Sequence, residues 1–257
     1  MKRRVWAVGK SELRNAGEGL DEQSKRTFAG FMGWSGAMFF ALALSLGLIL
    51  SPVLGALRIV IACAGLAFAV FALVVPMRSA DGKMDRLIAG LRGERYVGDA
   101  LKKLERQGAR VVHDVRGPIG NIDHVVIHTS GIYAIETKHR SRPAGRWMEM
   151  RYDGQTIRVN GQPLTHDPLP QARRQASWLW DYYTDTLGLT LRHPVKAVVL
   201  FPGWQVGSSG TGGPVQVLSV GGFLSAVRSC PDRHLSDKQV SYFHDLLVRA
   251  QRPPEAA

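Results

Sequence analysis

Asn121-Ile-Asp-His-Val-Val-Ile-His-Thr-Ser-Gly-Ile-Tyr-Ala-Ile-Glu-Thr-Lys138 reads as two apolar strands joined at Ser130-Gly131. β-branched runs on either side of a small turn pair mark a hairpin. Charged side chains are rare in such strands, because burying a charge is costly unless it is partnered. Asp123, Glu136 and Lys138 nevertheless stand in these two strands. With Ser130-Gly131 as a two-residue turn, Thr129 faces Ile132, Asp123 falls opposite Lys138, and Val125 falls opposite Glu136. Side chains alternate with period two, so Asp123, Glu136 and Lys138 share one face. The two acids are then diagonal neighbours, roughly 7–8 Å apart at the backbone.

Working outward, Leu87, Leu91, Val97, Leu101 and Leu104 recur at helical spacing. Gly90 and Gly93 are expected to divide this stretch into a linker helix over residues 77–92 and a domain helix starting near Glu94. Arg110–Val115 reads as the strand before the hairpin. Beyond it come a weak hairpin (Trp147–Tyr152, Thr156–Asn160) and a helix from Pro168-Leu169-Pro170 to about Leu187. Val195–Phe201 and Val215–Val220 are apolar strands, and Ser236–Arg249 is the last helix. This order predicts an α/β fold over residues 93–250, with helices flanking one mixed sheet, and a disordered tail over 251–257. Gly207–Gly213 lacks the Lys-Ser/Thr ending of a phosphate loop and reads as a surface loop.

Two carboxylates on one face suit a divalent cation, since oxygen donors match Mg²⁺, and such an ion polarises phosphate and activates water. A neighbouring lysine would orient or deprotonate the attacking water, or neutralise charge on the phosphate. The same spacing admits a plain ion pair between Lys138 and one carboxylate. His113, His124, His128, His139 and His166 read as structural, because no Cys or second carboxylate joins them at ligand spacing. Cys63 and Cys230 are too few for a disulfide scaffold or a zinc finger.

Four blocks in order resemble the nuclease-related domain (NERD) family of the PD-(D/E)xK restriction-endonuclease-like superfamily: Gly93-Glu94, Ile122-Asp123-His124-Val125-Val126, Gly131-Ile-Tyr-Ala-Ile-Glu136-Thr-Lys138, and Pro168-Leu-Pro-Gln-Ala-Arg-Arg174. The resemblance runs from about Leu91 to Leu187. It implies a restriction-endonuclease-like fold, Asp123 and Glu136 as ligands of Mg²⁺ or Mn²⁺, and Lys138 as the catalytic lysine. It further implies Glu94 as an accessory acid and metal ligand, and Gln171 as a helix residue bordering the site. The superfamily usually has Pro before the first Asp; here that position is Ile122, so the strand entry differs.

Arg140, Arg142 and Arg146 follow the second hairpin strand, and Arg173 and Arg174 stand beside Gln171. Such side chains neutralise phosphate backbones, so they are the candidate nucleic-acid contacts, with DNA ahead of RNA. Trp147 and Trp178 read as packing rather than base-stacking residues.

Residues 29–76 carry a single charge, Arg58, and divide into two apolar runs, 29–50 and 53–75, around Ser51-Pro52. The first run is 22 residues long, enough for a ~30 Å hydrocarbon core, so the expectation is a transmembrane helical hairpin. Arg58 would snorkel to the interface. Basic residues flank the hairpin on both sides, which predicts an inner-membrane protein with both termini cytoplasmic, a basic segment over 1–28 included. Gly33, Ala37, Ala41 and Ser45, with Gly65 and Ala69, form a small-residue ladder. It permits close packing within the hairpin or between copies of a homo-oligomer.

The 257 residues carry 33 Lys+Arg against 21 Asp+Glu, a net charge of +12, and are 45% apolar. That composition excludes a disordered or fibrous chain. Two functions compete: a membrane-anchored, Mg²⁺-dependent nuclease, or a catalytically inactive nuclease fold that binds nucleic acid, a partner protein or anionic lipid at the membrane.

Overall fold

Helix α1 runs from Leu57 to Glu105, passing Pro76, Gly90 and Gly93 without a break. The computed structural model describes residues 25, 29, 32, 33, 36, 38–47, 55, 57–118, 120–141, 148–208 and 213–251. Two units divide the chain, one over residues 19–89 and one over residues 1–18 with 90–257. The expected division of the helix at its glycines does not occur. Glycine lowers helix propensity by about 1 kcal/mol without ending a helix. At Gly93 a Cβ would meet only ordinary contacts, 3.4 Å from His139 Cβ and 3.8 Å from Thr137 Cγ2.

In the smaller unit, residues 38–47 are helical. Ser45 is buried, donates from Oγ to the Ala41 carbonyl at 2.9 Å, and abuts Gly65, which has no room for a Cβ beside that hydroxyl. Ser45 and Gly65 of the expected ladder therefore do make a close approach.

The transmembrane hairpin itself is overturned. No helix among the described residues is long and apolar enough to cross a membrane. The inner-membrane location with cytoplasmic ends rested on that hairpin and falls with it. The physical reason lies in helix continuity. A helix ends where its backbone hydrogen bonds end, not where composition changes, and α1 continues from its apolar start into the charged stretch reaching Glu105. The turn at 50–53, the basic segment (Lys25 apart) and the tail after Gln251 lie outside the described residues.

The larger unit is built on a five-stranded sheet ordered β1-β2-β3-β7-β9. Strands β1 (Arg110–Val115), β2 (Ile122–His128) and β3 (Gly131–Thr137) form an antiparallel meander. Strands β7 (Lys196–Leu200) and β9 (Val215–Leu218) add on parallel to β3. β3 is buried at every position, as a central strand covered on both faces must be. One face carries Val125, Ile127, Ala134 and Val199 under helices α2 (Leu169–Asp181) and α4 (Asp237–Gln251). The other carries Val126, Tyr133, Ile135 and Val198 under the end of α1 and helix α3 (Val220–Ser229). A π-helical turn, Tyr182–Thr186, extends α2.

Three expectations change here. The turn is Thr129-Ser130, since His128 pairs with Gly131 and His124 with Ile135, two residues away from the expected register. Gly131, at φ 136°, opens β3 instead of closing the turn. The weak hairpin becomes a separate sheet, β6-β5-β4-β8, made of β4 (Met150–Tyr152), β5 (Ile157–Val159), β6 (Gln162–Pro163) and β8 (Val206–Ser208). Among the described residues there are thus two sheets, and Gly207 and Ser208 of the expected loop are strand. Val220 leaves β9 and starts α3, with Ser219 as its cap accepting from Gly222 N–H at 3.1 Å.

Candidate active site

A register shifted by two residues keeps every side chain on its expected face, because the side-chain period is two. Extending the observed register one step sets Asp123 directly opposite Glu136. Both acids therefore lie on the face that α2 covers, at the start of β2 and the end of β3. Asp123 Oδ2 accepts from the Thr137 amide at 2.6 Å. Glu136 is 3% exposed, and both its oxygens are engaged. Oε1 pairs with Lys138 Nζ at 2.5 Å, and Oε2 accepts from Gln175 Nε2 at 2.8 Å.

Lys138 continues β3 by donating its amide to the Leu200 carbonyl at 2.9 Å, which anchors the lysine to β7. Its ammonium also donates to Gln171 Oε1 at 3.2 Å. The structure thus brings Asp123, Glu136, Lys138 and Gln171 together. Glu94 arrives from α1 at the end of the same strands; its charge acts on Asp123, and those of Glu136 and Lys138 act on it.

Two contributors escaped sequence reading. Gln175, one helical turn after Gln171, is 1% exposed and ties Glu136 to the Asn121 carbonyl at 2.8 Å. Asp114, the last residue but one of β1, stands at φ 50°, is buried, and accepts from Asn121 Nδ2 at 2.6 Å. A signal existed for each: Gln175 shares Gln171's helix face by its i+4 spacing, and Asp114 is a charge in an apolar strand, as Asp123 is.

The electrostatics follow from three acids around one lysine, with Asp114 as a fourth acid acting on Glu94. Burial pushes Glu94 up from its ordinary 4.5 to about 7, with Asp114 and then Glu136 adding to the rise and Lys138 opposing it. Asp123 is raised well above the usual carboxylate range by burial, then by Glu136 and Glu94, against the Thr137 amide and Lys138. Like charges close together disfavour ionisation, so the site holds protons where a cation would otherwise compensate. The all-oxygen donor set is the chemistry Mg²⁺ or Mn²⁺ requires. Among the described residues, no three His, Cys, Asp or Glu side chains form a group that could hold a metal ion. Lys138 and Gln175 occupy the Glu136 oxygens, so an ion held by Glu136 must exchange one of those partners.

Of the expected phosphate contacts, Arg140, Arg173 and Arg174 are exposed, while Arg142 and Arg146 lie outside the described residues. Trp178 stacks on Tyr182 at 5.2 Å and packs against the core, as a packing residue should. On the opposite face, His113 Nδ1 and His124 Nδ1 are hydrogen-bonded to each other at 2.8 Å. Burial lowers both pKa values, most strongly that of His124. They are structural in this arrangement.

Residues 89–202 match the family model of the nuclease-related domain, a likeness consistent with a PD-(D/E)xK-like nuclease. An uncharacterized protein of Bacillus anthracis is 32% identical over 89 residues, a match covering 30% of this chain and 42% of that protein. The chain thus spans about two fifths of that curated relative. No solved structure matches.

Proposed function

We propose that the domain is a divalent-metal-dependent nuclease that hydrolyses phosphodiester bonds, with DNA as its substrate. One observation carries the reading: Glu94, Asp123 and Glu136 gather around a single lysine with Asp114 acting on Glu94, and two of the four acids are pushed toward the protonated form. A purely structural ion pair needs one acid, not four. Holding Mg²⁺ or Mn²⁺ would require Asp123, Glu136 and Glu94 to draw closer than they stand here and Glu136 to release Lys138 or Gln175. The ion would then supply charge neutralisation on phosphate and a lowered pKa for bound water. Asp114, turned to Asn121, shapes the field felt by Glu94. Lys138 holds a proton-rich donor beside Glu136, oriented by Gln171, where it neutralises charge developing on a phosphate oxygen. Exposed Arg173 and Arg174 on α2 border the site and would grip the backbone of the strand.

A second reading has its own observation. Lys138 saturates Glu136 Oε1, an arrangement that also suits a fold that binds nucleic acid without cutting it. The experiment separates them. Purified protein is incubated with single- and double-stranded DNA, and with RNA, in Mg²⁺, Mn²⁺ or EDTA. The nuclease cleaves DNA only with metal and loses cleavage in Asp123→Ala and Lys138→Ala. Absence of metal-dependent cleavage on every substrate overturns it. Salt-dependent binding that survives Asp123→Ala and falls in an Arg173→Ala/Arg174→Ala double variant then establishes the binding module.

A further inference from the structure

A cavity lies at the other end of the β2–β3 hairpin, away from the acids. It has a volume of about 670 Å³ and is lined by the Thr129 turn, Gln107, Arg228 of α3, and Arg233 and Ser236 of the segment leading into α4. Glu136 is five residues along β3 from Gly131, so at ~3.3 Å per residue the turn that lines the cavity stands roughly 17 Å from Glu136.

Both arginines are held by neutral acceptors. Arg233 Nη1 donates to Thr129 Oγ1 at 2.6 Å, and Arg228 Nε donates to Gln107 Oε1 at 2.9 Å. These bonds orient the guanidiniums without neutralising them. Neither forms an ion pair among the described residues. Thr129 also anchors the segment's backbone, its carbonyl accepting from the His234 and Leu235 amides at 2.7 and 3.0 Å. Ser236 and Gln239 cap each other's amides at the start of α4. The one acid on the cavity wall, Asp237, sits in the first turn of that helix, where the helix dipole favours negative charge.

His128 supplies a third donor. Its ring is 8% exposed, and Nδ1 faces inward to Ser130, at 3.2 Å from the Ser130 amide and 2.7 Å from its hydroxyl. An amide can only donate, so Nδ1 is the acceptor and the ring proton sits on Nε2. Behind it, Ser130 Oγ is 2.8 Å from Tyr133 Oη, giving a chain that runs Tyr133 to Ser130 to His128. Every hydroxyl in that chain can donate toward His128, leaving Nε2–H as the group the ring offers to the cavity. Burial, then Arg233, keeps the ring neutral by lowering its pKa, against Asp237.

Two uncompensated guanidinium forks and an imidazole N–H on one wall select a tetrahedral oxyanion, and guanidinium forks match phosphate bidentately. The volume exceeds what a bare ion needs and falls in the range of small-molecule sites. Leu235 adds an apolar wall. We propose that this cavity binds the phosphate of a nucleotide-sized ligand, through Arg228, Arg233 and His128, as a site separate from the acid cluster. It does not depend on whether the acid cluster cuts nucleic acid.

Calorimetric titration of the full chain tests this, with EDTA present so that no metal bridges phosphate to the acids. AMP is the probe, with inorganic phosphate and adenosine as controls. AMP binds one to one, phosphate competes with it, and adenosine gives no heat. Arg228→Gln and Arg233→Gln each weaken AMP about tenfold or more, since a charge-assisted pair is worth about 1.4 kcal/mol or more. Arg233→Lys, which keeps charge and loses the fork, falls between. Asp123→Asn leaves binding unchanged. A 5′-phosphorylated oligothymidylate that binds better than its 5′-hydroxyl form identifies a strand end as the source of the phosphate; equal, weak binding of the two identifies free nucleotide. No heat from AMP or phosphate at millimolar concentration overturns the proposal. AMP binding that survives both glutamine variants while their melting temperatures match wild type, or that is lost in Asp123→Asn, overturns it as well.

Discussion

Replacing Glu94 by Gln removes a charge that the fold holds at a cost. The folded pKa of Glu94 is raised from 4.5 to about 7. Because it is raised, the proton contributes stability that is fully present below about pH 4.5 and lost as pH rises through about 7. At about 1.4 kcal/mol per pH unit, that displacement is worth on the order of 3 kcal/mol. Glutamine keeps the shape and cannot ionise. In EDTA at pH 8, Glu94→Gln is therefore more stable than wild type by up to ~3 kcal/mol; for a domain of this size that is roughly 6–12 °C in Tm. The difference shrinks as pH falls and vanishes near pH 4.5. Mg²⁺ at pH 8 supplies the missing positive charge, so it raises the wild-type Tm more than that of Glu94→Gln and releases protons on binding. Thermal melts followed by circular dichroism from pH 4.5 to 8.5, with and without Mg²⁺, read all of this. Parallel curves for wild type and Glu94→Gln across the whole range refute the electrostatic reasoning, as does a destabilised Glu94→Gln at pH 8.

Three further outcomes are expected. Gln175→Leu strips Glu136 Oε2 and the Asn121 carbonyl of their shared donor, and urea unfolding should show a loss of about 1–3 kcal/mol. An unchanged midpoint would mean Gln175 does not hold the site together. Gly93→Ala meets only ordinary contacts, the nearest at 3.4 Å, so helix propensity decides the sign and stability rises by up to ~1 kcal/mol, whereas Gly93→Val clashes and loses stability. Both are read from denaturation midpoints. In the smaller unit, Gly65→Ala collides with Ser45 Oγ and destabilises, and Ser45→Ala rescues it; a double-mutant cycle with no coupling would contradict the close approach.

The acid pair, its lysine and the shared face were legible because they rest on period-two alternation within one hairpin, which survives even a two-residue error in register. Gln171 was legible through its motif. Asp114 and Gln175 were not read, although each carried a local signal, because their role depends on contacts across the fold. Gln175 reaches Glu136 over 39 positions and Asn121 over 54. The apolar run misled for a related reason. Composition reports what a segment would bury, whereas helix α1 is defined by hydrogen bonds that run on into charged residues.

By itself, then, the amino-acid order determined a meander with acids and a lysine on one side, since alternation and turn chemistry are local. Only the tertiary structure decided that Asp123 faces Glu136, that Glu94 and Asp114 crowd the same charges, and that a second sheet stands apart from the first. It also decided the far cavity, where Arg233 meets Thr129 across 104 positions. Such pairings are chosen by the packing of whole elements around a core, and no short window of sequence contains both partners.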